Sequence, residues 1–508
     1  MVSRAPGGDV PSGSGSVVSI RRWRLLGLSL FAWVLGDPCG ANAAQADEDR
    51  RPNVVVILTD DQGYGDLGAY EKTPDVRTPH LDQLAREGVL MTSGYVTAPQ
   101  CVPSRAGIIT GTYQQRFGVD HNGLGPLPLG VRTLPERLKA AGYATGMVGK
   151  WHLMPSRASR RWVMKNMPDA ERLLKQDRFA IPQETSAPYT PGARGFTDFF
   201  HGSFSKAFAN YDLKGEDVEP GTIDTGMYRL DAQTQASLAF IRRHAGKRPF
   251  FLYLAYFGPH VPLYGGRLLE QFPKSMPRGR RLTLSMIAEM DEGVGKIMQE
   301  LESRGVAENT LVFFVSDNGA SETHGNVPGS EPGRDGSVND PWVGEKGMLT
   351  EGGIRVPFVM RWKGTLPAGK VYDPPVSSLD VAATSLAVSG QEVPEELDGV
   401  NLIPYLSGKK QGVPHEYLYW RFWSQRAVRS GQWKYLSLRN SGEFLFDLES
   451  EEHEHGNVIA AHPEIAKRLK AKLESFTAGL ENQGLAGNLF SEHRSYERHS
   501  LLAPKSAN

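Results

Sequence analysis

Short apolar runs alternate with amphipathic stretches along most of the chain. Residues 53–59 (NVVVILT) are nearly continuous in apolar side chains, the pattern of a strand covered on both faces. Thr78-Pro79 then opens a helix, with Thr78 as N-cap and Pro79 in the first turn. Leu81, Leu84 and Ala85 form its apolar face and Gly88 ends it. Thr133 and Glu136 have capping-box spacing ahead of Leu138 and Ala141, with Gly142 as the stop. Further strands are predicted at 144–149, 249–257 and 310–316. Between the last two, Met286, Met290, Val294, Ile297 and Leu301 recur at helical spacing. The alternation predicts an α/β fold: a large, mainly parallel sheet sandwiched by helices.

The pattern changes after about residue 410. Runs at 417–422, 425–430, 434–438 and 444–448 read as short strands, and Ile465, Leu469, Leu473 and Phe476 mark a final helix. This predicts a smaller antiparallel sheet with one helix. The expected organisation is a leader at 1–46, a main unit at 47–410, a small α+β subdomain at 411–482 and a tail at 483–508. Two stretches read as loops: 154–194, with seven Arg or Lys between Arg157 and Arg178 against three acids, and the Gly/Pro/Ser/Asp-rich 319–344.

Composition narrows the functional classes. The 508 residues carry 57 Lys+Arg and 57 Asp+Glu, and hydrophobic residues make up 40%. That mix excludes a disordered chain and a multi-span membrane protein, and neutrality argues against a nucleic-acid binder with a dominant basic surface. Two cysteines cannot build a disulfide scaffold or a four-thiolate zinc site. Arg21, Arg22 and Arg24, an apolar run over 25–35 and small residues at Ala41, Ala43, Ala44 and Ala46 describe a secretory leader. The run is short for a membrane span, so export without a stable membrane anchor is expected, to a periplasmic, extracellular or lysosome-like compartment. Cleavage removes Cys39 and leaves Cys101 as the only cysteine.

In an open parallel sheet, ligands bind beyond the carboxyl ends of the strands. Those positions here hold Asp60 and Asp61, Lys150 and His152, His260, and Asp317 and Asn318. Lys346 precedes the strand-like run 354–362. Asp60, Asp61, Asp317 and Asn318 offer only oxygen ligands, which suit a hard divalent cation. Cys101 lies in Cys101-Val102-Pro103-Ser104-Arg105, at the start of a predicted helix. That place favours negative charge, either a thiolate or a bound oxyanion.

These motifs resemble the type I, formylglycine-dependent sulfatases of the alkaline-phosphatase superfamily, in an arylsulfatase- or N-acetylgalactosamine-sulfatase-like form. The Cys-x-Pro-x-Arg string continues through Ala106-Gly107-Ile108-Ile109-Thr110-Gly111. It is joined, in family order, by Leu58-Thr59-Asp60-Asp61-Gln62-Gly63, Gly149-Lys150-Trp151-His152, Pro259-His260, Ser316-Asp317-Asn318-Gly319, Lys346-Gly347 and Glu351-Gly352-Gly353-Ile354-Arg355. Thr112 and Met154 depart from the usual pattern, at positions that carry none of the chemistry.

The resemblance implies an alkaline-phosphatase-like fold and a sulfuric ester hydrolase. A formylglycine-generating enzyme would oxidise Cys101 to an aldehyde whose hydrate is the nucleophile. Asp60, Asp61, Cys101, Asp317 and Asn318 would bind one divalent metal, calcium or else magnesium. Asp317 would act as base and Arg105 would hold the hydrate. Lys150 and Lys346 would bind sulfate oxygens, His260 with Lys346 would assist the leaving alcohol, and His152 would help eliminate sulfate. The implied substrate is a sulfated small molecule or carbohydrate. A phosphate or phosphonate ester hydrolase of the same superfamily is the first alternative. A non-enzymatic glycan-binding protein with an unmodified Cys101 is the second, and a thiol hydrolase the third. The basic stretch after His152 is expected to meet further anionic groups of a sulfated polysaccharide.

Overall fold

The computed structural model describes residues 51–176, 179–202, 205–321, 336–439, 441–481 and 495–501. The expected leader, Cys39, His324 and much of the tail lie outside the described residues.

Strand Asn53–Asp60 sits near the middle of a ten-stranded sheet. Its neighbours on either side, Thr310–Ser316 and Phe250–Pro259, run parallel to it. Ala144–Gly149 and Asp198–His201 continue the parallel order outward. Antiparallel pairs flank this parallel centre: Phe358–Arg361 pairs with Thr310–Ser316 on one side, and Lys206–Tyr211 with Asp198–His201 on the other, while the outermost pair Lys370–Tyr372 with Val89–Met91 is parallel. The sheet is therefore mixed but parallel where the motif residues leave it.

The continuous apolar run of the central strand has a direct cause. Val54, Val56 and Leu58 enter the core beneath the helices Cys101–Thr110, Leu134–Ala140 and Asp380–Val388, while Val55 and Ile57 enter the core beneath Arg229–His244 and Arg278–Ser303. Both faces are buried, so neither can carry polar side chains. Each such side chain contributes roughly 1.5–3 kcal/mol on burial.

The capping box at Thr133 and Glu136 forms in both directions, with Gly142 in the left-handed region at φ +86°. Two local readings are corrected. Thr78 does not cap the helix Pro79–Arg86. Its hydroxyl accepts from Gly68 N at 2.8 Å and donates to Asp82 at 2.9 Å. The cap comes instead from Asp291 on the long helix Arg278–Ser303, which accepts from His80 N at 3.2 Å and Leu81 N at 2.8 Å. The run 354–362 is not one strand. A short helix, Glu351–Ile354, precedes strand Phe358–Arg361, and its Gly352 and Gly353 lie where a Cβ would strike the backbone of 343–348. Replacing Asp291 with alanine should orphan two helix N–H groups and cost about 1–3 kcal/mol, read as a lowered midpoint in denaturant.

A four-stranded antiparallel sheet follows: Leu418–Phe422, Gln425–Ser430, Trp433–Leu438 and Gly442–Asp447. Its side chains alternate by face as a half-buried sheet requires. Val428, Tyr435 and Leu445 pack under Leu469 and Leu473 of the helix Pro463–Ala478. Trp420, Ala427 and Leu436 point the other way and join the core of the large sheet. The 154–194 stretch is not bare loop either; it holds the short helices Arg160–Asn166, Ala170–Leu174 and Gln183–Ser186.

Candidate active site

Four parallel strand ends and one helix start deliver their side chains to a single buried cluster. Cys101 is the first residue of the helix Cys101–Thr110. Gln100 is the N-cap residue, and Asn122 Oδ1 accepts from Val102 N at 3.0 Å. The Cys101 Sγ lies 3.4 Å from Asp60 Oδ1 and 3.3 Å from Lys346 Nζ. Lys346 Nζ also donates to both oxygens of Asp61, at 2.6 and 2.8 Å. Lys150 Nζ pairs with Asp60 Oδ2.

Arg105 lies one turn along the same helix and is fully buried. Its Nε donates to Asp317 Oδ2 at 2.8 Å, and another guanidinium nitrogen lies 3.6 Å from Asp60 Oδ1. A third donates to the Lys150 carbonyl at 2.8 Å. One side chain thus ties the Cys101 helix to three strand ends. Asn318 Nδ2 donates to Asp61 Oδ1 at 2.7 Å, and His260 Nε2 lies 3.6 Å from Asp61 Oδ2. Every candidate residue except His152 is thereby linked to another by a contact given above.

His152 sits beyond Lys150 in a left-handed backbone conformation at φ +59°, unusual for a residue with a Cβ. Among the described residues its Nδ1 is buried without a hydrogen-bond partner.

The charges set the protonation states. Burial opposes ionisation of Asp60, but Lys150, His260, Arg105 and Lys346 outweigh it and hold its carboxyl well below the usual range. Burial likewise opposes the Cys101 thiolate, and Lys150 and Lys346 overcome it, lowering the thiol from its ordinary value. Burial, then repulsion from Asp60 and Cys101, pushes Asp317 well above the carboxylate range. Burial disfavours the His260 imidazolium, yet Asp60, Cys101 and Asp61 raise it to about 9. Burial, then Lys150 and Arg105, keeps His152 well below the ordinary histidine value. Two histidines at one rim are thus driven in opposite directions.

The cluster could hold a metal ion. Asp60, Asp61, Cys101 and His260 each bring one ligand atom within 4.8 Å of the others. Asn318 Oδ1 is buried without a partner among the described residues. Lys150 and Lys346 lie directly against the carboxylates, so the acidic pocket is balanced by ammonium groups. Of the oxygen set read from the sequence, Asp60 and Asp61 meet in this group. Asp317 is held by Arg105 and by Asp61 N at 3.2 Å.

Some participants were not singled out from sequence. Phe257 has Lys150 Nζ 4.9 Å from its ring centroid, Arg229 at 4.5 Å and the His260 ring at 5.5 Å. Arg229 donates to the carbonyls of His260 and Pro262, at 3.0 and 2.9 Å, and so fixes the His260 loop. Arg229 opens a helix far from any motif, so nothing local marks it.

The chain is similar to known proteins over most of its length. A family model described as Sulfatase matches residues 52–391. A second, described as N-sulphoglucosamine sulphohydrolase, C-terminal, matches 342–479. The chain is 35% identical over 436 residues to N-acetylgalactosamine-6-sulfatase of Canis lupus familiaris, covering 82% of this chain and 76% of that protein. A solved structure of Ps i-CgsB in complex with k-i-k-neocarrahexaose superposes with TM-score 0.70 at 27% identity, covering 90% of this chain and 98% of that one. The phosphonate monoester hydrolase of Agrobacterium radiobacter shares the fold, with TM-score 0.57 at 21% identity over 86% of this chain and 97% of that one.

Proposed function

The chain belongs to the sulfatase family, and from that premise we propose that it hydrolyses the sulfate ester of a sulfated carbohydrate at Cys101. The observation that carries the reading is the placement of the Cys101 Sγ between an acidic pair and an ammonium, 3.4 Å from Asp60 and 3.3 Å from Lys346. A nucleophile position, a cation-binding carboxylate pair and a clamp for anionic oxygens coincide there.

Asp60, Asp61, Asp317, Asn318 and residue 101 would hold one divalent cation, calcium or magnesium, which when bound supplies charge neutralisation for the ester and nucleophile oxygens. A formylglycine made from Cys101 by a formylglycine-generating enzyme would be held at the same place and would supply a hydrate with two hydroxyls, one nucleophilic and one able to assist sulfate release. The chain's own residues do the rest. Arg105 fixes the Cys101 helix against Asp317 and Asp60. Asp317 accepts the nucleophile's proton. Lys150 and Lys346 neutralise the equatorial sulfate oxygens in a water-poor pocket, where such contacts are strongest. His260, held protonated, donates to the departing alcohol oxygen beside Lys346. His152, held neutral, takes up a proton as sulfate leaves.

Export to a periplasmic, extracellular or lysosome-like compartment is part of the same reading. Among the described residues no helix is long and apolar enough to cross a membrane. The test is a desulfation screen over defined sulfated saccharides, with aryl sulfate and aryl phosphate side by side and Cys101→Ala as control. Turnover of a sulfated saccharide, lost in Cys101→Ala, is expected, with the mature protein's intact mass lacking the thiol. Preference for the aryl phosphate, or an intact thiol in the active protein, would overturn the reading.

The basic stretch supports a polyanionic substrate. Arg160, Arg161 and Lys165 are exposed on the helix Arg160–Asn166, which packs against the turn Asn122–Leu124 beside Val102. Changing all three to glutamine should raise KM for a sulfated oligosaccharide about 3–10-fold, at a few tenths of a kcal/mol per exposed charge. A small aryl sulfate should change less than about 2-fold, because it carries no further anionic group for the helix to meet. Equal effects on both substrates would remove the idea.

A further inference from the structure

Residues 495–501 return to the active-site loop after the small sheet and its helix are complete. Tyr496 is 1% exposed, and its ring belongs to the core beneath the large sheet. Its hydroxyl donates to Gln425 Oε1 at 2.5 Å and accepts from Leu349 N at 3.2 Å. Gln425, on the small sheet, accepts from Leu349 N at 2.9 Å and donates to the Gly347 carbonyl at 2.9 Å. Arg498 pairs with the carboxylate of buried Glu345, and His499 Nε2 lies 3.8 Å from the same oxygen. These contacts fall on Glu345, Gly347 and Leu349, on both sides of Lys346.

The Lys346 backbone is also pinned from the catalytic side. Lys346 N donates to Ala320 O at 2.8 Å and Gly347 N to Pro99 O at 2.9 Å. Gly344 and Gly347 adopt φ +94° and +92°, left-handed values that shape a tight loop and leave it little regular structure of its own. The Lys346 ammonium must nevertheless stay within hydrogen-bond distance of Asp61 and residue 101. Such precision requires support from groups outside the loop.

We propose that the C-terminal segment 495–501 is a strap whose Tyr496 and Arg498 are positioning residues for Lys346, acting through Gln425 and Glu345. The inference rests on Lys346 belonging to the sulfate-binding cluster. The strap touches no reacting atom; it fixes the loop that carries one.

The test uses the full chain. Tyr496→Phe keeps the buried ring and removes the hydroxyl, and Arg498→Ala removes the Glu345 pair. Each should lower kcat for an aryl sulfate roughly 3–10-fold, with KM changed less than about 2-fold, and Arg498→Lys should recover part of the loss. In a Lys346→Ala background either change should add less than about 2-fold, since residues acting through one group are not additive. Hydrogen exchange at Gly347 and Leu349 should accelerate about tenfold in Tyr496→Phe, whether or not the chain turns over a sulfate ester. Full losses retained in the Lys346→Ala background, or unchanged exchange in 345–349, would overturn the strap. Absence of sulfatase turnover in the wild-type protein carrying formylglycine at position 101 would instead count against the proposed function, and the exchange result would still decide the strap.

Discussion

Replacing Arg105 with methionine is expected to reduce kcat/KM for an aryl sulfate about 10²–10³-fold and to destabilise the main unit by about 3–5 kcal/mol. The guanidinium is the fully buried counter-charge of Asp317, 2.7 Å away, and lies 3.6 Å from Asp60. Methionine fills a similar volume but leaves two carboxylates buried with less compensation, and burial already pushes Asp317 well above its ordinary range. The cost is therefore mainly that of stranded charge rather than of lost packing. Arg105→Lys should recover only part of it. A single ammonium cannot hold Asp317 and the Lys150 carbonyl at once, contacts that Arg105 makes with separate nitrogens at 2.8 Å each. A variant that keeps wild-type stability and kcat/KM would show that Arg105 neither anchors the cluster nor balances its charge.

Much of this cluster was legible because parallel strands announce themselves twice. A doubly covered strand must be apolar throughout, so 53–59 and 310–316 stood out, and the first polar residues after them had to lie at one rim. Asp60, Lys150, His260 and Asp317 were found by that rule alone. The rule fails where burial is one-sided or the element is brief. Strand Asp198–His201 has four residues, and Asp217–Asp224 is largely exposed, so neither carried a clear apolar signal. It fails again where a residue acts through tertiary approach. Arg229, Gln425 and Tyr496 have ordinary surroundings in sequence, and only tertiary packing brings the latter two to Gly347 and Leu349 beside Lys346. The Thr78 cap shows the opposite error. The local pattern was right for a helix start, but Asp291 arrived from another helix and took the role.

The junction between the two sheets carries the second large effect. Lys434, Glu351 and Glu454 are each fully buried. Lys434 Nζ lies 2.8 Å from Glu351 and 2.9 Å from Glu454, and Glu454 Oε2 accepts from Glu351 N at 2.7 Å. Burial opposes the Glu351 carboxylate, but Lys434, Arg355 and Arg429 outweigh it and hold it at about 2. Burial raises Glu454 to about 7, with Lys434 offsetting part of the rise and Glu351 adding to it. Lys434→Met should therefore cost about 3–5 kcal/mol, by removing the cation that two buried carboxyl groups share. The double change Lys434→Met with Glu454→Gln should recover part of that, since one of the stranded acids is gone. The pH dependence has a fixed sign. A carboxyl raised from 4.5 to about 7 contributes stability that is full below pH 4.5 and is lost as pH rises through about 7. Glu454→Gln cannot titrate, so its stability deficit against the unmodified chain should shrink between pH 5 and pH 8. Thermal midpoints across that range check it. A deficit that stays constant across that range would mean that Glu454 is ionised throughout and that Lys434 is balanced by two full negative charges.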